Sequence, residues 1–244
     1  MKKDFIAALR NADVEAVKGF IAAGEDLNEQ YENDGDINTP LYEALVAFTD
    51  NGEDEAAFER RKAAVVEMLV EAGANPNVRG MARYDDRPNP FHRSLIFTAV
   101  GNCGRESLRA FMASGARHGL DEEARDSEGR TVAWKALSRA HQADSEEDRA
   151  VGRETLRDLA MAFSFAHGEY SLVDRYGTPF LFAAIDTGDP ELVRLLKGAC
   201  APDVCNPRGV TAAAYARRKG EAKIAEALEA EIRERADPHF REQD

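Results

Sequence analysis

The sequence predicts an all-α solenoid of about six helix-turn-helix repeats with short hairpin fingers between them. Three observations favour this class. A Thr-Pro-type opening recurs along the 244 residues, as at 39–41 and 178–179. Apolar residues follow at helical spacing, as at Val66, Leu69 and Val70. Glycine then ends the second helix of several repeats. Since one such repeat cannot bury its own apolar face, neighbouring repeats are expected to stack.

The best-preserved repeat opens at 39–45 and closes at 65–77 with Gly-Ala-Asn-Pro-Asn. This pattern resembles the ankyrin repeat, which has a Thr-Pro-Leu-His-type opening and a Gly-Ala-Asp-x-Asn close. The match recurs at 13–28, 174–196 and 206–220. Two further copies, at 94–116 and 126–162, are degenerate, and Phe163 fills the glycine position of the second of these.

The resemblance implies one ankyrin-repeat domain over 1–236, followed by a C-terminal tail at 237–244. Its six repeats are placed at about 1–33, 34–88, 89–125, 126–173, 174–205 and 206–236. The first and last repeats are rich in charged residues, as expected for repeats that cap a solenoid. Gly24, Gly73 and Gly115 are expected to supply left-handed caps at the ends of second helices.

Two repeats are longer than the usual length of about 33 residues. The extra residues, 48–62 and 140–153, lie between the first and second helices, and each stretch is acidic near its start and basic near its end. We expect them to extend the flanking helices by a turn or two. Surface insertions are tolerated at little cost, and they also carry recognition in many proteins. Both interpretations stay open, as they do for the long linker at 78–93.

The charge balance is strongly acidic, with 45 Asp and Glu against 32 Lys and Arg and a net charge of −13. Such a charge disfavours binding to nucleic acid. It either keeps the protein soluble or steers a partner with a basic surface toward it.

Three cysteines without paired spacing predict neither a disulfide framework nor a zinc site. No apolar run is long enough for a membrane span or a signal peptide, so a cytoplasmic location is expected.

Catalytic and ligand motifs are missing from the sequence. It has no GxGxxG and no GxxxxGK motif, and its five histidines show no HxxxH or HxH spacing. The calcium-like oxygens at 34–38 lack the glycine and the glutamate that complete such a loop. We therefore predict no enzyme activity, no cofactor and no metal. An enzyme or small-ligand sensor would need a convergent polar pocket that no motif provides.

Proteins with ankyrin repeats bind partners along a concave face lined by the fingers and the exposed side of the first helices. Transferred to this chain, the resemblance implies finger contacts from Tyr31, Glu32, Asp34, Asp36, Asn38, Phe91, Arg93, Glu128, Arg130, Arg175, Tyr176, Thr178 and Arg208. It implies first-helix contacts from Val46, Asn102, Ser138, Arg139, Asp186, Thr187, Arg218 and Lys219. The acidic insertion residues Glu53, Asp54 and Glu55 are added as contacts on the opposite rim.

The resulting hypothesis is a protein-binding module that is monomeric when free. Its sharpest form is an inhibitor, such as the cytosolic immunity protein of a bacterial toxin pair, because some of those proteins are small, acidic and ankyrin-like. A general adaptor or assembly scaffold is the alternative.

Overall fold

A computed structural model describes residues 3–33, 36–49, 52–82, 92–121, 124–126, 128–167, 173–196 and 200–236. Within these ranges there are twelve α-helices and four short β-strands, which confirms the predicted all-α class. The chain divides into two compact lobes, an N-lobe at Met1–Asp126 and a C-lobe at Ser127–Asp244.

The N-lobe contains three pairs of helices and the strands of two hairpin fingers. The helices are α1 (Lys3–Arg10), α2 (Val14–Ala22), α3 (Pro40–Val46), α4 (Glu55–Glu71), α5 (Leu95–Asn102) and α6 (Arg105–Arg117). The strands are β1 (Tyr31–Asn33), β2 (Asp36–Asn38), β3 (Arg79–Ala82) and β4 (His92–Ser94). First helices pack on first helices (α1 on α3, α3 on α5), and second helices pack on second helices (α2 on α4, α4 on α6), as in a solenoid.

The side chains that begin these helices are those the sequence indicates. Asp13 caps α2 by accepting a hydrogen bond from Ala16 N, and Asp54 caps α4 by accepting one from Ala56 N. Thr39, which directly precedes Pro40, caps α3 by accepting a hydrogen bond from Tyr42 N. Each bond satisfies a backbone donor that has no partner within the helix. Short polar residues therefore fix where α2, α3 and α4 start, whereas Ser94 and Gly104 give α5 and α6 no such side-chain bond.

The two fingers of the N-lobe join edge to edge. β1 pairs with β2 and β3 pairs with β4, both antiparallel, and β2 also pairs with β3 through Asp36–Ala82 and Ile37–Met81. The described strands thus form a four-stranded sheet in the order β1-β2-β3-β4. The sequence predicted separate short fingers and gave no sign of this joining.

The C-lobe repeats the same arrangement. Its helices are α7 (Val132–Gln142), α8 (Glu146–His167), α9 (Phe180–Asp186), α10 (Pro190–Leu195), α11 (Ala212–Lys219) and α12 (Ala222–Ala236). α7 packs on α9 and α9 on α11, while α8 packs on α10 and α10 on α12. The largest fully buried side chains of this lobe are Leu156, Phe180, Ile185 and Leu192.

Two sequence expectations about helix ends have different outcomes. Gly24 and Gly73 adopt left-handed backbone conformations with φ of 79° and 105°, as predicted. The prediction for Gly115 is wrong, because this residue lies inside α6 and Gly119, with φ of 74°, takes the left-handed position. The lack of a side chain at Gly115 instead allows Leu120 to pack closely against α6, because a Cβ added at Gly115 would lie 3.0 Å from Leu120 Cδ2.

The insertions were expected to extend both flanking helices; both lengthen the second helix, but α3, with 7 residues, ends before the first insertion. α4 has 17 residues and α8 has 22. At the position of Phe163, where glycine is usual, α8 continues to His167. Without glycine, the residue has no easy route into the left-handed conformation that ends other second helices.

Candidate partner-binding surfaces

The finger at 174–178 in the C-lobe presents an exposed aromatic ring. Tyr176 has 62% of its surface exposed. The backbone beneath it is fixed, because Asp174 Oδ1 accepts hydrogen bonds from Tyr176 N and Thr178 N, each at 2.9 Å. Gly177 completes the turn with φ of 75°. A rigid turn therefore holds an apolar ring in solvent.

Arg175 makes this finger a two-residue platform. Its guanidinium carbon lies 4.7 Å from the Tyr176 ring centroid, and Nη2 donates to the Tyr176 hydroxyl. The same group forms an ion pair with Glu128 at 3.0 Å, and Arg175 N donates to Glu128 O at 2.8 Å. Gly129 permits this approach, since an added Cβ would lie 2.8 Å from Arg175 N. Glu128 of the neighbouring finger thus holds the Arg175 side chain against the Tyr176 ring.

A second cluster joins two first helices of the C-lobe. Asp186, at the end of α9, accepts hydrogen bonds from the Tyr215 hydroxyl at 2.7 Å and pairs with Lys219 Nζ at 2.8 Å. The pKa of Tyr215 is raised mainly by its partial burial and also by its hydrogen bond to the Asp186 carboxylate. The hydrogen bond to Asp186 raises the pKa of Lys219 as well. At neutral pH the cluster therefore holds a protonated phenol and an ammonium against one carboxylate.

The other predicted C-lobe residues vary in exposure. Arg208 and Arg218 are exposed, whereas the remaining five are half-buried, namely Arg130, Ser138, Arg139, Thr178 and Thr187. Arg139 pairs with Asp148 of the second insertion, which lowers the pKa of that carboxyl.

In the N-lobe, two predicted finger residues serve a buried carboxylate. Glu43 is only 1% exposed, and it accepts hydrogen bonds from Arg10 Nε at 2.7 Å, Asn38 Nδ2 at 2.8 Å and the Tyr31 hydroxyl. Burial alone would raise the pKa of Glu43, but these three donors outweigh it and lower that pKa. Burial and the nearby carboxylate raise the pKa of Tyr31. Tyr31 and Asn38 thus anchor the first finger to α3, and their contact with a partner stays a prediction.

The other predicted contact residues of the N-lobe differ in their exposure and location. Glu32 and Asn102 are exposed and Val46 is half-buried. Asp36 and Arg93 belong to β2 and β4, while Asp34 and Phe91 fall outside the described residues.

The first insertion neutralises part of its own charge. Glu53 forms a two-pronged ion pair with Arg61, with Oε2 at 2.9 Å from Nη2, and this contact lowers the pKa of Glu53. Asp54 caps α4 and Glu55 is exposed in its first turn. Two of the three acidic residues therefore have structural roles within the insertion, Glu53 in an ion pair and Asp54 as a helix cap.

Two residues of this region were not predicted as important. Phe48 has 75% of its surface exposed, directly after α3. Lys62 is 2% exposed, and its Nζ donates to Ala47 O at 3.0 Å and to Asn102 O at 3.3 Å. The ammonium thereby satisfies the carboxyl ends of two first helices, α3 and α5. Neither residue could be singled out from the sequence, because both lie in a charged insertion.

Within the described ranges, no group of three or more His, Cys, Asp or Glu side chains could hold a metal ion. The same ranges contain no helical stretch with the length and hydropathy of a membrane span.

Comparison with solved structures shows the class of fold. An ankyrin repeat domain from Acinetobacter baumannii is similar over 93% of this chain and 96% of its own, with 20% identity and a TM-score of 0.62. The ankyrin repeat domain of Bcl-3, of the IkappaB protein family, is similar over 93% and 85%, with 21% identity and a TM-score of 0.66. The predicted ankyrin-repeat fold is confirmed.

A third similar chain belongs to a complex of a predatory endopeptidase from Bdellovibrio bacteriovorus with an immunity protein. It covers 94% of this chain and 98% of its own, with 18% identity and a TM-score of 0.57. No protein-family model and no curated protein sequence matches the chain.

Proposed function

We propose that this protein binds another protein through its finger tips and first helices, with Arg175 and Tyr176 as the anchoring pair in the C-lobe. The observation that carries the proposal is the stacked, exposed pair held by Glu128. Tyrosine and arginine are the residue types enriched among interface hot spots. Because both side chains are already ordered, little conformational entropy is lost on binding.

The inhibitor hypothesis specifies what kind of protein the partner is. In it, the protein neutralises an enzyme or toxin, as an immunity protein does. Support comes from the similar fold in the endopeptidase–immunity protein complex and from the acidic charge of −13, which would attract a basic partner. An adaptor or scaffold would use the same surface without changing its partner's activity.

A comparative capture experiment tests the binding surface. Tagged wild-type protein and the R175A/Y176A double variant are used as baits, and bound proteins are quantified by mass spectrometry. R194A is a matched control, since Arg194 is an exposed arginine on the second helix α10, paired with Glu191 at 2.8 Å. A specific partner should be retained by wild type and R194A and lost from the double variant. A partner captured equally by all three baits contradicts the proposed surface.

The partner's own activity then separates inhibitor from scaffold. Purified wild-type protein is titrated into an assay of the captured partner. The inhibitor hypothesis predicts that activity falls to a low level at a one-to-one ratio. Full activity in the saturated complex identifies an adaptor or scaffold instead.

A further inference from the structure

A cleft of about 570 Å³ opens in the N-lobe, away from the fingers, where loops join first to second helices. It is lined by Asn11, Asp13, Val14, Glu15, Phe48, Thr49, Glu53, Phe58 and Arg61. These residues come from the α1–α2 turn, from the segment after α3 and from the first insertion with α4. Nothing in the proposed finger surface uses them.

The floor of the cleft is held rigidly. Phe58 is buried in a cluster with Ala12 and Ala47. Arg61 lies over the Phe58 ring, with 5.6 Å from its guanidinium carbon to the centroid. Its Nε donates to Ala12 O at 3.3 Å and its Nη2 to Glu53 Oε2 at 2.9 Å. The charge of Arg61 is therefore matched by Glu53 inside the cleft.

The lining of the cleft combines an exposed aromatic ring with acidic side chains. Phe48 leaves 75% of its surface in water, more than Tyr176, the other large exposed hydrophobic side chain among the described residues. With Glu53 and Arg61 paired, Asp13, which also caps α2, and Glu15 leave the lining of the cleft with net negative charge. The cleft thus offers apolar contact beside two carboxylates that a cation can neutralise.

We infer that this cleft docks a segment of a protein partner in which an apolar side chain is flanked by lysine or arginine. The apolar side chain covers Phe48, and the flanking cation lies against Asp13 and Glu15. Charge complementarity selects this occupant over an acidic segment, which the two carboxylates would repel. The site is independent of the Arg175–Tyr176 surface, because all of its residues lie in the N-lobe.

Nuclear magnetic resonance with short blocked peptides tests the inference. The probes are Gly-Lys-Leu-Lys-Gly, the acidic counterpart Gly-Glu-Leu-Glu-Gly, and Gly-Lys-Gly-Lys-Gly, each added at millimolar concentration to the full, nitrogen-15-labelled chain. The first peptide should shift amide signals of residues 11–15 and 48–49, and the other two should shift them far less. No localised shift with the first peptide, or equal shifts with all three, overturns the inference.

Variants give the test a second arm. F48S should weaken binding of the first peptide about tenfold, since a phenyl contact is lost, and E15Q should weaken it about two- to fivefold. E226Q is the matched control for E15Q, because it removes an exposed carboxylate from α12 of the C-lobe, and peptide binding should be unchanged. Equal affinity of F48S and wild type contradicts the docking site, whatever the fate of the proposed finger surface.

Discussion

Gly152 lies at a close contact between α8 and α7. An added Cβ at this position would collide with Ala140 N and would lie 2.7 Å from Ala140 Cα. Both atoms belong to backbone, which cannot move aside as a flexible side chain can. The two helices are therefore held together at a distance that only glycine permits.

We expect G152A to lower the free energy of unfolding by about 1–3 kcal/mol, because overpacking forces the two helices apart. Urea denaturation followed by circular dichroism measures the change. G19A is the control, since Gly19 lies in α2 with nothing within 4 Å of an added Cβ. It should stabilise the protein by about 0.5–1 kcal/mol through helix propensity alone. Equal effects of the two substitutions contradict the close α7–α8 contact.

The buried Glu43 carboxylate gives the N-lobe a pH dependence. Its pKa is lowered from the ordinary 4.5 in the folded state, so the unfolded chain binds the proton more readily. The resulting stability is present above the ordinary value and is lost as pH falls through the lowered one.

E43Q should therefore lose less stability than wild type between neutral pH and pH values below 4.5. At neutral pH it should be the less stable protein, because Arg10 loses its carboxylate partner. Urea midpoints across this pH range provide the measurement. Parallel pH profiles for the two proteins would show that Glu43 does not contribute this linkage.

At the scale of the elements, two asparagines tie successive second-helix ends together. Asn28 donates to Gly73 O at 3.0 Å and accepts from Asn75 N at 2.7 Å. Asn77 does the same one repeat later, donating to Gly119 O and accepting from Asp121 N, both at 2.7 Å. The last asparagine of the repeat pattern thus bonds one repeat to the next.

N77A should cost about 1–2 kcal/mol of stability, because two hydrogen bonds between repeats are lost. N77D should also destabilise, since a carboxylate can accept from Asp121 N but cannot donate to Gly119 O. The control is N75A, whose side chain only accepts a local bond from Asn77 N at 2.9 Å. Thermal unfolding of the three variants ranks them. A loss in N75A as large as in N77A would remove the special role of Asn77.

Features of the fold that depend on neighbouring residues could be predicted from sequence. Thr39 with Pro40, the finger glycine Gly177 and the cap at Gly73 are signals within a few positions. Contacts between distant positions could not be predicted in this way. Glu59 caps α6 by accepting from Ser107 N at 2.9 Å, 48 residues away. The pairing of β2 with β3 likewise joins Asp36 to Ala82 and Ile37 to Met81, which are far apart in the sequence.

In the candidate site, too, positions could be predicted from the sequence but contacts between distant residues could not. Resemblance to the repeat pattern indicated the finger positions Arg175 and Tyr176. Their mutual stacking and the ion pair to Glu128 required three-dimensional structure. The exposure of Phe48 could not be predicted, because an exposed phenylalanine and a buried one look the same in a sequence and differ only in their packing.

For the whole molecule, the charge is the property that acts at a distance. The net charge of −13 remains after local ion pairs such as Glu53–Arg61 have formed. If the partner has a basic surface, its association rate should fall as salt rises, since exposed charges are screened beyond about 10 Å at 0.1 M. Stopped-flow or surface-based kinetics at several salt concentrations measure the rate. A rate independent of salt would remove the electrostatic contribution while leaving the contact itself.

The affinity of the R175A/Y176A double variant for the captured partner tests the central claim most directly. If the pair anchors the interface, its loss should weaken binding by about 2 kcal/mol, or about 30-fold. The melting temperature should barely change, because both side chains are exposed. R194A, titrated in parallel, should bind as wild type does. Wild-type affinity in the double variant, at an unchanged melting temperature, would contradict the claim that partners dock on this finger.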